Sequence, residues 1–439
     1  MQSPAWRRAC KRLPGETGVT IVQKYGGSSL ATAERIRAVA DRVARRRQTE
    51  ERIVVVVSAM GDTTDDLIKL ARRVTDEPDD REMDLLLSTG ELISCTLMAM
   101  ALRARGVPAI SLTGGQAGIQ TEATHGRARI VEVDSGRLKR ELAAGRVVIV
   151  AGFQGVTEHA DVTTLGRGGS DTTAVALAAI LEAGVCEIYT DVDGVFTADP
   201  RIEPTARQLR EIDYEEMLEL AQQGARVMHP RAVELGSVYG IPIVVASSYR
   251  DRPGTLIHRI IGLEREGTGG TAVEVRNKVS GIAHDTNVAK ITIVGVPDRP
   301  GIATEIFQPL ARAGISVDVI VQNTGLAGVT DLSFTVAESD LQRAIRLVEP
   351  VAEEVGARRV VGNKDLAKVS IVGSGIHSAT GYAARMFQAL AERKINIDMI
   401  TTSEIRITCI IAEEQVDDAV RALHGAFQLE QPDVPALSE

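Results

Sequence analysis

Aromatic residues are scarce in this chain, at 3% of 439 residues with a single tryptophan. That deficit suits α/β packing built on Ala and Val, and a hydrophobic share of 44% is enough for real cores. Cysteine is sparse too. Cys10, Cys95, Cys186 and Cys409 stand far apart with no CxxC pair, so neither a disulfide framework nor a zinc site is indicated and a reduced cytoplasm is the default compartment. No apolar run reaches the ~18 residues of a membrane span. Residues 1–18 are basic (Arg7, Arg8, Lys11, Arg12) but lack the apolar segment of a secretory signal; they read as a disordered extension or an early start codon. Positive charge is in deficit, 50 Lys and Arg against 59 Asp and Glu for a net −9, which argues against a nucleic-acid partner.

Familiar nucleotide signatures are also missing. No Gly-Lys dipeptide occurs, which rules out a Walker A loop, and no G-x-G-x-x-G occurs, so a dinucleotide fold has no fingerprint. The seven histidines show no catalytic grouping. What is present is Lys24, at the end of an apolar strand (19–24) that runs into Gly26-Gly27-Ser28-Ser29 and then a helix over 30–47, with Ile36, Val39, Ala40 and Val43 at helical spacing. Two glycines and two serines at such a join let N–H groups turn toward an anion, and a helix N-terminus adds its dipole. With a lysine beside it, the fitting ligand is a polyphosphate. The bland alternative is a turn that merely joins strand to helix.

By length the chain suggests two to three domains of ~150 residues. Residues 52–58 form a continuous β-branched run, the mark of a strand buried on both faces. Further strands are expected at 109–112, 147–151, 187–190 and 241–246, with helices at 79–104, 135–144, 171–183, 214–223 and 230–239. This alternation predicts a three-layer αβα sandwich with a mostly parallel sheet over 19–261. The polar, glycine-rich stretch at 262–278 reads as a linker. Beyond it lies an internal repeat of two βαββα units: strands at 290–296, 315–323 and 330–336 with helices at 300–313 and from 339, then strands at 368–373, 395–401 and 405–412 with helices at 381–393 and from 415. Ala313-Gly-Ile-Ser-Val-Asp-Val-Ile320 and Arg393-Lys-Ile-Asn-Ile-Asp-Met-Ile400 fall at matching places. Two small α+β modules (279–362 and 363–430, then a tail at 431–439) appended to an α/β body suggest ligand sensing. A further strand at 279–286 lies between the linker and the first repeat.

The most specific string is Thr163-Thr-Leu-Gly-Arg-Gly-Gly-Ser-Asp171. Ser170 or Asp171 can cap the Ala-rich helix that follows, and Arg167 on a glycine loop is suited to fork a carboxylate through two N–H bonds; a cap plus a surface arginine is the alternative. With Lys24-Tyr-Gly-Gly-Ser-Ser29, Val57-Ser-Ala-Met-Gly61, Ser88-Thr-Gly-Glu91, Gly152-Phe-Gln-Gly155 and Tyr189-Thr-Asp-Val-Asp-Gly-Val-Phe-Thr-Ala-Asp-Pro-Arg201, in this order, the chain resembles the aspartate kinases over roughly residues 19–430. That family joins an amino-acid kinase fold to two C-terminal ACT domains. The resemblance implies phosphorylation of the β-carboxylate of L-aspartate by ATP with Mg2+. A carboxylate has a reference pKa of about 4, so it is already ionised at neutral pH and needs no general base.

The resemblance assigns Lys24 to the γ-phosphate and Asp171 to orienting Lys24. It places Tyr25, Gly26, Gly27, Ser28, Thr190, Asp191, Phe196, Thr197, Asp199, Pro200, Arg201 and Arg226 at the nucleotide, Arg226 standing where many relatives carry lysine. Arg167, assisted by Ser170, would bind the α-carboxylate, Glu91 the α-ammonium, and Ser58 and Thr64 would line the pocket. The alternatives are that Glu91 is a favourable charge near a helix N-terminus and that Ser58 only ends its strand, while His229 before Pro230 reads as a helix-start residue. No protein metal ligand is assigned, since ATP phosphates supply most of them. In the tail, Asp298, Gly301, Ile302, Ala303, Gln322 and Asn323, and Asn396, Ile397, Ser403 and Glu404, match effector positions. Feedback by lysine, threonine or both and homo-oligomers (dimer or tetramer) paired through ACT domains are therefore expected. A sister kinase for another small acid or UMP, and a catalytically dead amino-acid sensor, are the competing readings.

Overall fold

A computed structural model of the chain describes residues 18–50, 52–260, 279–322, 328–377 and 380–431. The expected linker and nearly all of the N-terminal extension and C-terminal tail lie outside the described residues, as does Asn323. Two compact units are present, one formed by Met1–Val195, Gln208–Ala221 and Arg226–Gly270, the other by Phe196–Arg207, Gln222–Ala225 and Thr271–Glu439.

The first unit is built on an eight-stranded sheet. Its central strands are β1 (Thr20–Tyr25), β2 (Arg52–Val57), β6 (Val147–Ala151) and β9 (Val185–Thr190), extended by β3 (Ala109–Leu112) on one side and β11 (Ile243–Ser247), β12 (Thr255–Ile257) and β10 (Glu211–Ile212) on the other. β1 pairs parallel with β2 and β9, β2 with β6, β6 with β3, and β9 with β11; β12 runs antiparallel to β11. β2 and β6 consist almost wholly of buried Val, Ile and Ala, which is why the sheet can be covered on both faces.

Helix α1 (Ala33–Arg46) lays Ile36, Val39, Ala40 and Val43 onto the sheet and begins at Thr32, whose side chain accepts from Arg35 N. The other helices of this unit are α2 (Thr63–Val74), α3 (Asp80–Arg103), α4 (Gly136–Ala143), α5 (Gly169–Ile180), α6 (Tyr214–Gln222) and α7 (Pro230–Tyr239). Helix α3 is, by length and composition alone, apolar enough to cross a membrane, with a mean hydropathy of 1.7 over its best window, against the expectation that no such segment exists. Its buried face packs into the core and carries Asp84, Ser88, Glu91 and Ser94.

A second, four-stranded sheet was not foreseen. It joins β4 (Ile119–Thr121), β5 (Ile130–Val133), β7 (Gln154–Val156) and β8 (Val162–Thr164) in the order β5-β4-β7-β8. β8 leads directly into the glycine-arginine string.

The second unit holds a six-stranded sheet in the order β14-β15-β13-β16-β18-β17. Its strands are β13 (Gly281–Pro297), β14 (Ile320–Gln322), β15 (Val329–Val336), β16 (Arg359–Val372), β17 (Met399–Thr402) and β18 (Arg406–Ala412), with helices α8 (Ile302–Arg312), α9 (Leu341–Glu354), α10 (Tyr382–Glu392) and α11 (Val416–Ala426). The long strands β13 and β16 serve both repeats. Residues 281–285 of β13 pair with 368–372 of β16, and residues 290–294 pair with 359–363. The start of β13 thus lies beside the second repeat. Each repeat has its own apolar core, one around Ile291, Phe334 and Leu310, the other around Val369, Ile411 and Leu423.

Candidate active site

Four parallel strands end together at the carboxyl edge of the main sheet, at Tyr25, Val57, Ala151 and Thr190. In open α/β sheets this edge is where ligands bind. Lys24 occupies the last register but one of β1, between Val56 of β2 and Ile188 of β9. A short 3-10 turn at Gly27–Leu30 follows it, with Gly26 extended at its start. The Gly26 N–H is bonded to Tyr189 O at 3.2 Å; the N–H groups of Gly27 and Ser28 open the turn, where a helix leaves its first donors without an acceptor of its own. Space around the turn is tight. A Cβ on Gly27 would lie 2.9 Å from Ala59 O and 3.0 Å from Gly61 O.

Lys24 Nζ sits 2.6 Å from Asp171 Oδ1, with both side chains nearly buried. Asp171 stands in the first turn of α5, whose N-cap Gly168 is left-handed at φ 70°. A side chain at Gly168 would run into the ring of His229, 2.3 Å away. His229 itself caps α7, accepting from Arg231 N through Nδ1, the helix-start role read from Pro230. Burial holds its pKa below the ordinary histidine value. Ser170 is buried against Gly152, where a Cβ would sit 2.8 Å from the Ser170 side chain.

Glu91 is the most telling member. It lies in mid-helix on α3, not near a helix start, and is 3% exposed. Its Oε1 accepts from Ala59 N at 3.0 Å, while its Oε2 is buried with no partner among the described residues. Burial raises its pKa to about 7. A buried carboxylate oxygen left without a partner is costly unless a donor arrives, and an ammonium group is such a donor. Ser58 follows β2, and its carbonyl accepts from Ser94 Oγ of the same helix at 2.7 Å; Thr64 is half-buried in the first turn of α2. Arg167 is exposed on its loop.

The nucleotide residues divide. Tyr25 is wholly buried and stacked on Tyr189 with ring centroids 4.8 Å apart, so only its backbone can face a ligand. Thr190 Oγ1 donates to Asp191 at 2.9 Å at the end of β9, and Arg226 is exposed in a turn. Phe196, Thr197, Asp199, Pro200 and Arg201 instead belong to the second unit. There Thr197 Oγ1 is bonded to His424 Nε2 at 3.0 Å and accepts from Arg207 N. Asp199 is held by Arg201 at 2.6 Å, which keeps its carboxyl below the usual range. In the repeats, Asp298 and Ala303 are exposed beside Gly301, the left-handed N-cap of α8, whose Ile302 turns into the core. Gln322, Asn396 and Glu404 are exposed and Ile397 half-buried, while Ser403 Oγ is buried without a hydrogen bond among the described residues. Asp84, which clamps the arginine loop from α3, was not singled out from sequence.

A parallel sheet with a lysine–aspartate pair at its carboxyl edge, coupled to two βαββα repeats, defines an amino acid kinase with ACT domains. Residues 19–247 match the amino acid kinase family, and 291–350 and 369–427 match the ACT domain. The chain is 50% identical over 412 residues to the aspartate kinase of Stutzerimonas stutzeri, covering 94% of this chain and 98% of that one. It is 50% identical over 413 residues to the aspartokinase of Mycolicibacterium smegmatis, covering 93% and 96%. Among solved structures it resembles E. coli aspartokinase III in complex with aspartate and ADP, at a TM-score of 0.76 and 28% identity, covering 93% and 99%. The chain belongs to the aspartate kinase family.

Proposed function

We propose that this enzyme transfers the γ-phosphoryl group of Mg·ATP to the β-carboxylate of L-aspartate, giving 4-phospho-L-aspartate and ADP, as the first step toward lysine, threonine and methionine. The observation that carries this is the buried Lys24–Asp171 pair at the carboxyl edge of the sheet. A carboxylate oxygen attacks the γ-phosphorus while the bond to the β,γ-bridging oxygen breaks, so the ADP oxygen takes the electron pair and no proton need move. Catalysis is then positioning and charge neutralisation. Lys24 keeps two of its three N–H donors for phosphate oxygens while Asp171 fixes the third. Gly27 and Ser28 add backbone N–H groups.

Glu91 takes the α-ammonium through its unpartnered Oε2, and Arg167 with Ser170 takes the α-carboxylate; Ser58 and Thr64 line the pocket. Thr190, Asp191 and Arg226 hold the nucleotide. Magnesium comes as part of the nucleotide substrate, with the ATP phosphates supplying most of its ligands. The likeness to E. coli aspartokinase III in complex with lysine and aspartate, at a TM-score of 0.70 and 27% identity, supports lysine as an effector. Lysine, threonine or both act as inhibitors through the ACT modules around Asp298, Gly301 and Ser403. Pairing of those modules between chains gives a homo-oligomer, and the enzyme works in the cytoplasm.

The test is ATP-dependent acyl-phosphate formation, trapped with hydroxylamine, from L-aspartate, L-glutamate and N-acetylglutamate. Product from aspartate alone is expected. Product from another acid would move the chain to a sister kinase, and silence on all three would leave an amino-acid sensor. Adding lysine, threonine and both together tests the feedback, which fails if neither alters turnover.

A further inference from the structure

Asp84 is wholly buried on α3, and among the described residues its carboxylate meets donors from the 125–126 turn and from the end of β8. Gly126 N–H donates to both oxygens at 3.0 Å, His125 Nδ1 lies 2.9 Å from Oδ2, and Thr164 Oγ1 donates to Oδ1. Thr164 ends β8, three residues before Arg167. The two loops are laced to each other as well. Ala128 N donates to Thr164 O at 2.9 Å, and Arg231 bridges them, donating to Leu165 O at 2.8 Å and Ala128 O at 3.2 Å. They touch so closely that a Cβ on Gly166 would lie 3.2 Å from Gly126 O.

Asp84 and Glu91 are seven residues apart, two turns along one buried helix face, or ~10 Å of rise. One rigid helix therefore carries Glu91 directly and governs the Arg167 loop through Asp84. We infer that Asp84 is a positioning residue for aspartate binding, setting where Arg167 stands relative to Glu91. A buried carboxylate bonded only to donors is suited to this, because an amide in its place offers one acceptor oxygen and turns two donors of its own toward groups that also donate. This rests on the proposal that Arg167 and Glu91 bind the two poles of the amino-acid head group.

The test is steady-state kinetics of the full chain with Asp84→Asn, Thr164→Val and, as a control on that proposal, Arg167→Ala. Asp84→Asn is expected to raise KM for aspartate about tenfold or more while KM for ATP stays within about twofold, a split of the size expected for a lost charge-assisted hydrogen bond. Thr164→Val, which removes one bond and keeps the fold, is expected to raise KM for aspartate severalfold. If Asp84→Asn does not fold, Thr164→Val decides alone. An unchanged aspartate KM in folded variants, or equal changes in both KM values, would overturn the inference. If Arg167→Ala leaves aspartate KM unchanged, the head-group assignment fails instead.

Discussion

Lys24 and Asp171, 147 positions apart in the chain, form a 2.6 Å ion pair whose side chains are only 12% and 11% exposed. Asp171 Oδ1 has no hydrogen bond of its own among the described residues, so the lysine is what balances it. Two strand-to-helix joins, from β1 and into α5, are thereby pinned at one point. Asp171→Asn keeps the shape but releases the lysine. It is expected to lower kcat about 10²–10³-fold, the size typical of losing one preorganised donor in a water-poor site, with a smaller change in KM for aspartate. Equal losses in kcat and in folded protein would assign the pair to stability alone.

On the proposed binding of the α-ammonium, Glu91 links turnover to pH. Its carboxyl is raised to about 7 by burial, and only the ionised form can hold an ammonium. Below that value the competent fraction falls tenfold per unit, so kcat/KM for aspartate should rise with pH and level off above about 7. Glu91→Gln should flatten the profile and lower kcat/KM. An inflection that persists in Glu91→Gln would assign the titration to another group.

Gly27 tests the phosphate turn. Because a Cβ there meets the backbone carbonyls of Ala59 and Gly61, Gly27→Ala must push the turn away from the 58–61 loop. A loss of about 1–3 kcal/mol in stability is expected from the overpacking, read by denaturant unfolding, together with a raised KM for ATP. Unaltered ATP kinetics would show that this turn does not carry the phosphates.

The two repeats exchange charges across their junction. Asp318 of the first meets Lys368 of the second at 2.7 Å, and Lys290 of the first meets Asp398 of the second. Each aspartate stands at the same place in its repeat. Lys368 is the more buried, its side chain 8% exposed, so Asp318→Asn leaves an ammonium without its partner. It should cost about 1–2 kcal/mol, discounted from the cost of breaking a fully buried pair because Asp318 is half-exposed. Asp398→Asn should cost less. A double-mutant cycle with Lys368→Met that shows no coupling would leave the pair without energetic weight.

The parts legible in sequence were those with long periodic or compositional signals. Strands 109–112 and 147–151 and the helix at 230–239 fall where they were expected. The small sheet escaped because its strands are three or four residues long, and Ile119-Gln-Thr121 or Val162-Thr-Thr164 has too little alternation to stand out from a loop. The first half of β16 escaped because Gly362, Asn363, Lys364 and Asp365 are exposed and polar. Strands expected from 315 and 395 begin only at Ile320 and Met399. Lys24, Asp171 and Glu91 were legible because they sit in dense motifs; Asp84 was not, since its meaning comes from two distant loops. Thr197 and Asp199 were grouped with the nucleotide on motif alone, and their bonds to His424 and Arg201 come from tertiary contacts that no local pattern reveals.

The most direct measurement is hydroxylamine-trapped acyl phosphate from L-aspartate and Mg·ATP with Lys24→Met, a near-isosteric change that removes the charge. Turnover should fall at least 10²–10³-fold while aspartate still raises the thermal midpoint of the variant. Turnover within tenfold of the unaltered enzyme, with aspartate still bound, would contradict the role of Lys24 at the transferring phosphoryl group.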